Sequence, residues 1–300
     1  MVTPPQLPRW LVREYPFAPQ SFTTPHGARM NYLDEGPRHD EAVVMLHGNP
    51  TWSFYYRHAI RALAGLHRCI VPDHIGMGLS DKPQDYPYTL ETRIKDIEAL
   101  IASLGLKRVH LIVHDWGGAI GYGFATRHPE MVGRIVTLNT AAFLPKHVPG
   151  RIALCKTDFP GTLLVRGANG FAWPATWMSM HRKKLTRAEK RGLLFPYDSW
   201  ANRVAVDAFV KDIPTHPRHP SYHTLATIEQ NLSRLAAHEN CLIWGGADFC
   251  FDDRIFSRWT GIFPKAAHHY LKGAGHYVIE DARSEVLDLI QEFLAPVEGR

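Results

Sequence analysis

Short apolar runs that alternate with longer helix-like segments constrain the fold of this 300-residue chain more than any other feature. Five runs are rich in β-branched residues and apolar on both faces: AVVMLHG (42–48), CIVPD (69–73), VHLIVHD (109–115), RIVTLNT (134–140) and CLIWGG (241–246). Strands of this composition are typical of a parallel sheet that is covered on both sides. We therefore expect an α/β fold built from βαβ units.

Segments around these runs supply further elements of the predicted fold. Segment 90–104 has apolar residues at a spacing of three to four, and segment 118–127 directly follows a strand, so both are predicted crossover helices. SFTTPHG and ARMNYLDEG predict an antiparallel pair around a turn at His26 and Gly27, and SEVLDLIQEFL predicts a closing helix.

The connection from residue 141 to about residue 240 is much longer than the few residues that usually join a strand to the next element. It must carry structure of its own, and it is rich in bulky side chains. We predict a core formed by 1–140 and 241–300, with 141–240 inserted as a helical cap over the carboxyl edge of the sheet. Packing within the cap explains most of these side chains, and a minority would line a substrate cavity.

Composition excludes several classes of function. The 34 lysine and arginine residues against 29 acidic ones give a net charge of +5, too mild an excess to imply nucleic acid. The densest basic run, HRKK (181–184), is interpreted as a solvated helix face rather than a patch for an acidic partner. Four cysteines without a C-x-x-C pair favour reduced thiols and no zinc site. We expect a cytoplasmic protein with no membrane span and no cofactor.

One predicted strand ends in an aspartate that a helix follows. The sequence VHDWGG (113–118) has the strand, sharp turn and helix of a nucleophile elbow, with Asp115 at the nucleophile position. The usual small residue two positions earlier is replaced by Val113. An aspartate at a strand end can also cap the next helix, so this motif alone leaves both interpretations open.

Two later residues follow the chain order of a nucleophile, acid and histidine triad. Asp248 in WGGADF comes after one predicted strand, and His276 in GAGHYV comes after the next. Asp252 and Asp253 are rival acids, although Asp253 is better interpreted as a helix start. An alternative acid position at the end of RIVTLNT is filled by Asn139.

The sequence HGNP (47–50) ends an earlier strand, at the place of the loop that donates a backbone N–H to an anion hole. The amide of Asn49 and the indole of Trp116 would add two side-chain donors aimed at a leaving anion. Each residue alone also has a structural interpretation as a packed loop residue.

Four segments together resemble the haloalkane dehalogenases over nearly the whole chain: HGNPTWSFYYR, PDHIGMGLSDKP, VHDWGG and GAGHYVIED. This resemblance implies an α/β-hydrolase fold, with a mostly parallel eight-stranded sheet flanked by helices and an inserted helical cap. It also implies that Asp115 attacks the substrate and that His276, held by Asp248, activates water. Asn49 and Trp116 would hold the halide.

The chain is still more similar to an offshoot of that family, the β-lactone decarboxylases of bacterial long-chain olefin biosynthesis. The similarity lies in predicted cap segments: NTAAF, PGRIALCK, PYDSWANRVAV and DIPTHPRHPSY. It implies conversion of cis-3,4-dialkyl-β-lactones to cis-alkenes and CO2. It also implies a hydrophobic small-molecule substrate and a possible assembly with a β-lactone synthetase and a reductase.

Three alternatives stay open at this point. A haloalkane dehalogenase would hydrolyse its alkyl ester with water. An epoxide hydrolase would need two cap tyrosines, for which Tyr197 and Tyr222 are the candidates. A non-catalytic ligand receptor would be unexpected in a chain that carries a complete nucleophile, acid and histidine set.

Overall fold

The computed structural model describes residues 7–295, which form an eight-stranded sheet with helices on both faces. The outermost residues of the predicted core, 1–6 and 296–300, lie outside the described residues. The strands are β1 (Gln20–Thr23), β2 (Arg29–Glu35), β3 (Glu41–Leu46), β4 (Cys69–Pro72), β5 (Arg108–Asp115), β6 (Val132–Thr140), β7 (Asn240–Gly245) and β8 (Ala267–Leu271).

The sheet has the order β1-β2-β4-β3-β5-β6-β7-β8. β1 and β2 are antiparallel, and β2 runs antiparallel to β4, whereas every pairing from β4 through β8 is parallel. The predicted mostly parallel sheet of the α/β-hydrolase type is therefore confirmed. β3 and β5 are buried along nearly their whole length, which agrees with their apolar sequences.

Helices outside the chain between β6 and β7 include those predicted at 90–104, at 118–127, from Asp253 and at the C-terminal end. They are α1 (Arg9–Glu14), α2 (Arg57–Leu63), α3 (Leu90–Ser103), α4 (Trp116–Arg127), α10 (Asp253–Ile262), α11 (Val278–Asp281) and α12 (Arg283–Leu294). α3 begins where the Thr89 hydroxyl accepts the backbone N–H of Thr92, an ordinary N-terminal cap. No helix within residues 7–295 is both long and apolar enough to cross a membrane.

The chain between β6 and β7 is mainly helical. It forms α5 (Gly150–Lys156), α6 (Ala172–Met178), α7 (Arg187–Leu194), α8 (Val204–Lys211) and α9 (Tyr222–Asn231), with a π-helical turn at Leu163–Gly167. The run 181–184 is exposed, but it lies in a bend and not on a helix, so that part of the prediction is wrong. The Asp281 carboxylate accepts three successive backbone N–H groups there, and this holds the bend open.

Buried polar contacts fix this helical segment to the sheet. Arg93 on α3 pairs with Asp212, which follows α8, at 2.7 Å, and both side chains are buried. The indole of Trp52 donates to the carbonyl of Gly192 on α7 at 3.0 Å. The division into a core and a cap insertion stays a prediction, and these contacts show where the two predicted parts meet.

Candidate active site

Asp115 ends β5 in a strained backbone conformation. Its φ of 52° and ψ of −127° lie where residues other than glycine are rare. α4 begins at the next residue, but the Asp115 side chain makes no cap hydrogen bond to it. The helix-cap interpretation is therefore excluded, and the carboxylate lines a cavity instead.

Val113 occupies the position where a nucleophile elbow usually has a small residue. A Cβ atom placed on Gly121 of α4 would lie 2.6 Å from Cγ1 of Val113, closer than two carbon atoms can pack. The missing side chain on α4 thus provides the space that a small residue at position 113 would otherwise provide. The departure from the pattern is compensated within the same strand and helix.

His276 lies between two carboxylates. Its Nδ1 is 2.7 Å from Oδ2 of Asp248, and its Nε2 is 3.8 Å from Oδ2 of Asp115. The three predicted residues follow β5, β7 and β8, and the fold brings them together at the carboxyl edge of the sheet. Nδ1 forms the hydrogen bond to Asp248, so Nε2 faces Asp115. This is the orientation in which the histidine can act as a general base or acid.

Among the acidic candidates, only Asp248 contacts the histidine ring. Its Oδ1 accepts the backbone N–H of Cys250 at 2.7 Å, which leaves Oδ2 to His276. Asp252 instead accepts the backbone N–H of Arg254 and caps α10. α10 begins at Asp253, as the sequence predicted.

Asn139 occupies the alternative position for the triad acid, and its side chain contacts Asp248 directly. Its Nδ2 is 3.0 Å from Oδ2 of Asp248 and 3.0 Å from the carbonyl of Gly245, and its Oδ1 accepts the Gly245 N–H at 2.8 Å. These bonds join the ends of β6 and β7. Asn139 therefore orients Asp248. The position of Asn139 at a strand end did not indicate this role.

The loop after β3 brings a backbone donor to the nucleophile. The N–H of Asn49 donates to Oδ1 of Asp115 at 2.6 Å. A side chain on Gly48 would overlap with the Asp115 carboxylate, so only glycine permits this approach. His47 accepts the backbone N–H of His74 through Nε2 and donates from Nδ1 to the Gly48 carbonyl, which fixes the loop.

The side chains of Asn49 and Trp116 both line the cavity beside Asp115. Nδ2 of Asn49 donates one hydrogen to the carbonyl of Val206 at 3.0 Å, and its second hydrogen has no acceptor in residues 7–295. The indole N–H of Trp116 likewise has no protein acceptor in the described part of the chain. Two donors are thus free for a ligand, although the expected role in binding an anion stays a prediction.

Helix α8 supports both of these side chains, which the sequence did not indicate. It provides the Val206 carbonyl that holds Asn49, and the ring of Phe209, whose centroid lies 5.5 Å from that of Trp116. The guanidinium of Arg93 lies 3.7 Å from the Phe209 ring centroid. The residues in these contacts are far apart in sequence, so no local pattern could reveal them.

Burial and charge set the protonation of the site. Burial raises the pKa of Asp115, while His276 and the backbone N–H groups of Trp116 and Asn49 oppose that rise. Burial alone would lower the pKa of His276, but the two neighbouring carboxylates raise it above its usual value. Burial raises the pKa of the Cys250 thiol well above normal, so this cavity residue stays protonated and does not compete as a nucleophile.

The cavity above Asp115 has a volume of about 1000 Å³. Asp115 and His276 line it. Most of its wall is apolar and is contributed largely by the chain between β6 and β7: Phe143, Leu144, Ile152, Leu164, Phe171, Met178, Val210, Ile213 and Leu225. This volume is at the upper end of the range for small-molecule sites. A cavity of this volume and composition suits a long hydrophobic substrate better than a short one.

Neither tyrosine required by the epoxide hydrolase alternative lies in this cavity. Tyr197 is buried and its hydroxyl donates to the carbonyl of Thr51 at 3.2 Å. Tyr222 is the first residue of α9 and is not part of the cavity wall. Among residues 7–295, no tyrosine lines the cavity to protonate an epoxide oxygen.

A cluster of metal-ligand residues lies outside the cavity but does not suit a cation. Ligand atoms of His58, Glu189 and Glu280 lie within 4.8 Å of one another. Arg57 and Arg283 both contact the two glutamates, so the negative charge is already neutralised. Burial and the charge of Arg57 lower the pKa of His58 to about 3.

Comparison with known proteins defines the class first. The model of the α/β hydrolase fold family matches residues 41–282, and the chain therefore belongs to that family. It is 44% identical over 283 residues to the cis-3-alkyl-4-alkyloxetan-2-one decarboxylase of Shewanella oneidensis, with 92% of this chain and 88% of that protein covered. The enzyme of the same name from Xanthomonas campestris is 40% identical, with 93% and 97% covered. The predicted resemblance to this group is thus confirmed.

Solved structures support the same fold. The crystal structure of haloalkane dehalogenase DbeA from Bradyrhizobium elkani superposes with a TM-score of 0.80 at 22% identity, covering 93% of this chain and 99% of that one. At this identity the likeness concerns the fold alone.

Proposed function

We propose that this chain is a cis-3-alkyl-4-alkyloxetan-2-one decarboxylase, which converts a cis-3,4-dialkyl-β-lactone to a cis-alkene and CO2. The observation that carries the proposal is the Asp115 carboxylate in the wall of a large, mostly apolar cavity, with Nε2 of His276 at 3.8 Å from it. Identity of 44% and 40% to two decarboxylases of that name supports this substrate over the alternatives.

The proposed reaction begins when an Asp115 oxygen attacks the β-carbon of the lactone ring. A C–O bond to Asp115 forms with inversion, the ring C–O bond breaks, and the electron pair leaves on the new carboxylate. The bond between the α-carbon and that carboxylate then breaks and releases CO2. Its electrons form the C=C bond while the bond to Asp115 breaks, which regenerates the free carboxylate.

This sequence of steps accounts for the geometry of the product. Inversion followed by anti fragmentation is a net syn elimination, so a cis-lactone gives a cis-alkene. No water is consumed. Attack at the lactone carbonyl, which would give a mixed anhydride on Asp115, is the competing route. His276, oriented by Asp248, would handle protons in either case.

The leaving carboxylate needs donors that are already in place when charge develops. The indole N–H of Trp116 and the second amide hydrogen of Asn49 are candidates, because both residues line the cavity and neither hydrogen has an acceptor in residues 7–295. The same pair suits a halide. A haloalkane dehalogenase is therefore the second candidate function, with an alkyl ester on Asp115 hydrolysed by water that His276 activates.

The substrate class has implications for partners and location. As the similarity to this group implies, we propose that the chain works in the cytoplasm, in an assembly with a β-lactone synthetase that supplies the lactone and a reductase. Co-purification of the three proteins from cells would test that placement.

Product analysis tests the function directly. Purified protein is incubated with a cis-3,4-dialkyl-β-lactone and, separately, with a 1-haloalkane, and alkene and halide are measured. We expect cis-alkene from the lactone at a far higher kcat/KM than halide release. Faster halide release, with no alkene, would establish the dehalogenase instead.

A further inference from the structure

The part of the helical segment that covers the cavity is apolar on both of its faces. We call residues 150–178 the roof; it contains α5, the π-helical turn and α6. Its inner face lines the cavity through Ile152, Cys155, Leu164, Phe171, Ala175 and Met178. A helical layer over a cavity normally has a polar outer face.

The outer face of the roof carries large exposed side chains instead. Phe159 is 79% exposed, Trp173 is 57% exposed and Leu163 is 55% exposed. Trp173 and Trp177 are one turn apart on α6, and their ring centroids are 4.2 Å apart, so the two indoles project from one side of the helix. Exposed apolar side chains scattered singly are normal, but a group of this kind marks a contact surface.

The roof is continuous with the mouth of the cavity. Leu154 of α5 is exposed on the outside and also lines the cavity. Lys146 and His147, on the loop before α5, and Arg151, in the first turn of α5, are exposed residues of the same wall. Anything that covers the roof therefore lies beside this exposed part of the cavity wall.

Charge is unevenly distributed around this surface. Residues 141–200 contain ten lysine or arginine residues and three acidic ones, a net charge of +7. The other 240 residues contain 24 basic and 26 acidic ones, a net charge of −2. The roof itself contains three basic residues and one acidic one, and six more basic residues follow shortly after it in sequence, in 181–191.

We propose that the roof is a membrane-docking surface, which binds the face of a bilayer that contains anionic lipids. Tryptophan pairs and apolar side chains enter the headgroup region, while lysine and arginine contact lipid phosphates. The inference rests on the proposed function, because a lactone with two alkyl chains partitions into lipid. The docked roof places the cavity mouth at that phase, and the substrate enters without crossing water.

Vesicle flotation with the full chain tests the proposal without any turnover. We expect the protein to float with vesicles of phosphatidylcholine and phosphatidylglycerol about tenfold more strongly than with phosphatidylcholine alone, and less at high salt. Bromine-labelled lipid should quench tryptophan fluorescence in the bound state. Failure of the wild-type chain to float with the anionic vesicles would overturn the proposal, whatever the enzyme assays give.

The decisive variant is Phe159→Ser with Trp173→Ser and Trp177→Ser, since none of these side chains lines the cavity. We expect vesicle affinity to fall about tenfold or more, with turnover of detergent-dispersed lactone as in wild type. Leu66→Ser is the matched control, because Leu66 is 72% exposed and precedes β4 at the opposite edge of the sheet. It should float as wild type does.

Two further results would also overturn the proposal. Flotation of the triple variant equal to that of wild type would show that charge alone binds the vesicles and would exclude the aromatic contact. A wild-type chain that light scattering finds to be a dimer, with a monomeric triple variant and no vesicle binding by either, would mean that a second copy covers the roof.

Discussion

The carboxyl edge of the sheet and the helical segment above it are built in opposite ways. At the edge, hydrogen bonds from the backbone or from buried amides hold each carboxylate: Asn49 binds Asp115, while Cys250 and Asn139 bind Asp248. In the helical segment, the groups that face the cavity are mainly apolar. The difference indicates that strand ends determine the reaction, whereas the helices determine which molecule reaches it.

Replacement of the nucleophile is the strongest test of that division. Asp115→Ala should lower turnover by at least about a hundredfold, since no other group in the site can form the covalent bond. Steady-state alkene production measures the effect, and circular dichroism checks the fold. Asp253→Asn is the control, because this carboxylate is exposed and does not line the cavity. Residual activity above about one per cent of wild type would contradict the assignment.

Replacement of His276 should distinguish haloalkane hydrolysis from β-lactone decarboxylation. His276→Ala given a haloalkane should stop after one turnover with an ester on Asp115, because water is no longer activated. The same variant given a β-lactone should still release some alkene over many turnovers, because fragmentation needs no water.

Intact-protein mass spectrometry detects the adduct, and gas chromatography detects the alkene. A stable adduct from the lactone as well would exclude direct fragmentation at the β-carbon. A water-dependent or anhydride route through His276 would then replace it.

The two cavity donors come from the edge of the sheet and should affect the chemical step. Asn49→Ala and Trp116→Phe should each lower kcat by roughly ten- to a thousandfold, the range for loss of one preorganised donor. KM should change less. Wild-type rates in both variants would mean that these side chains only pack against their neighbours.

The smallest loss of kcat is expected at the contact between the sheet-flanking helix α3 and the helical segment. Arg93→Met leaves Asp212 buried without its partner and removes the cation beside Phe209, so kcat should fall by about tenfold or less. Arg93→Lys should restore part of it.

Arg68→Met is a matched control, since Arg68 pairs with Asp34 through two hydrogen bonds at 2.8 and 2.9 Å, away from the cavity. Arg93→Met should lose about 3–5 kcal/mol of unfolding free energy, and Arg68→Met should lose less, because Arg38 still pairs with Asp34. Only Arg93→Met should lose kcat. Equal rates in the two variants would show that the Arg93 pair stabilises the fold and does nothing for the anion donors.

The sheet and the triad were predictable because their signals are local or follow a fixed order. The buried strands are mainly apolar runs, and Asp248 follows one of them, β7. His276 follows the partly exposed β8, so chain order and its flanking glycines identified it rather than an apolar run. The elbow was recognisable despite Val113, although the compensating Gly121 was found only in the structure.

Features that depend on distant partners were not predictable. HRKK has the composition of a helix face, but Asp281, a hundred residues later, binds its backbone and prevents the helix. Arg93 has an ordinary place in an amphipathic segment, and nothing near it in sequence indicates the buried pair with Asp212. Such contacts are set by tertiary packing, which overrides local preference.

The apolar wall of the cavity also has a kinetic consequence. The alkene keeps both hydrocarbon chains of the lactone, so the contacts that hold the reactant hold the product almost as tightly, and only the CO2 leaves readily. Turnover under this regime is limited by hydrocarbon release and not by bond cleavage. Rapid mixing should then give a burst of CO2 equal to the enzyme concentration, followed by a slower steady rate that a hydrophobic acceptor phase accelerates.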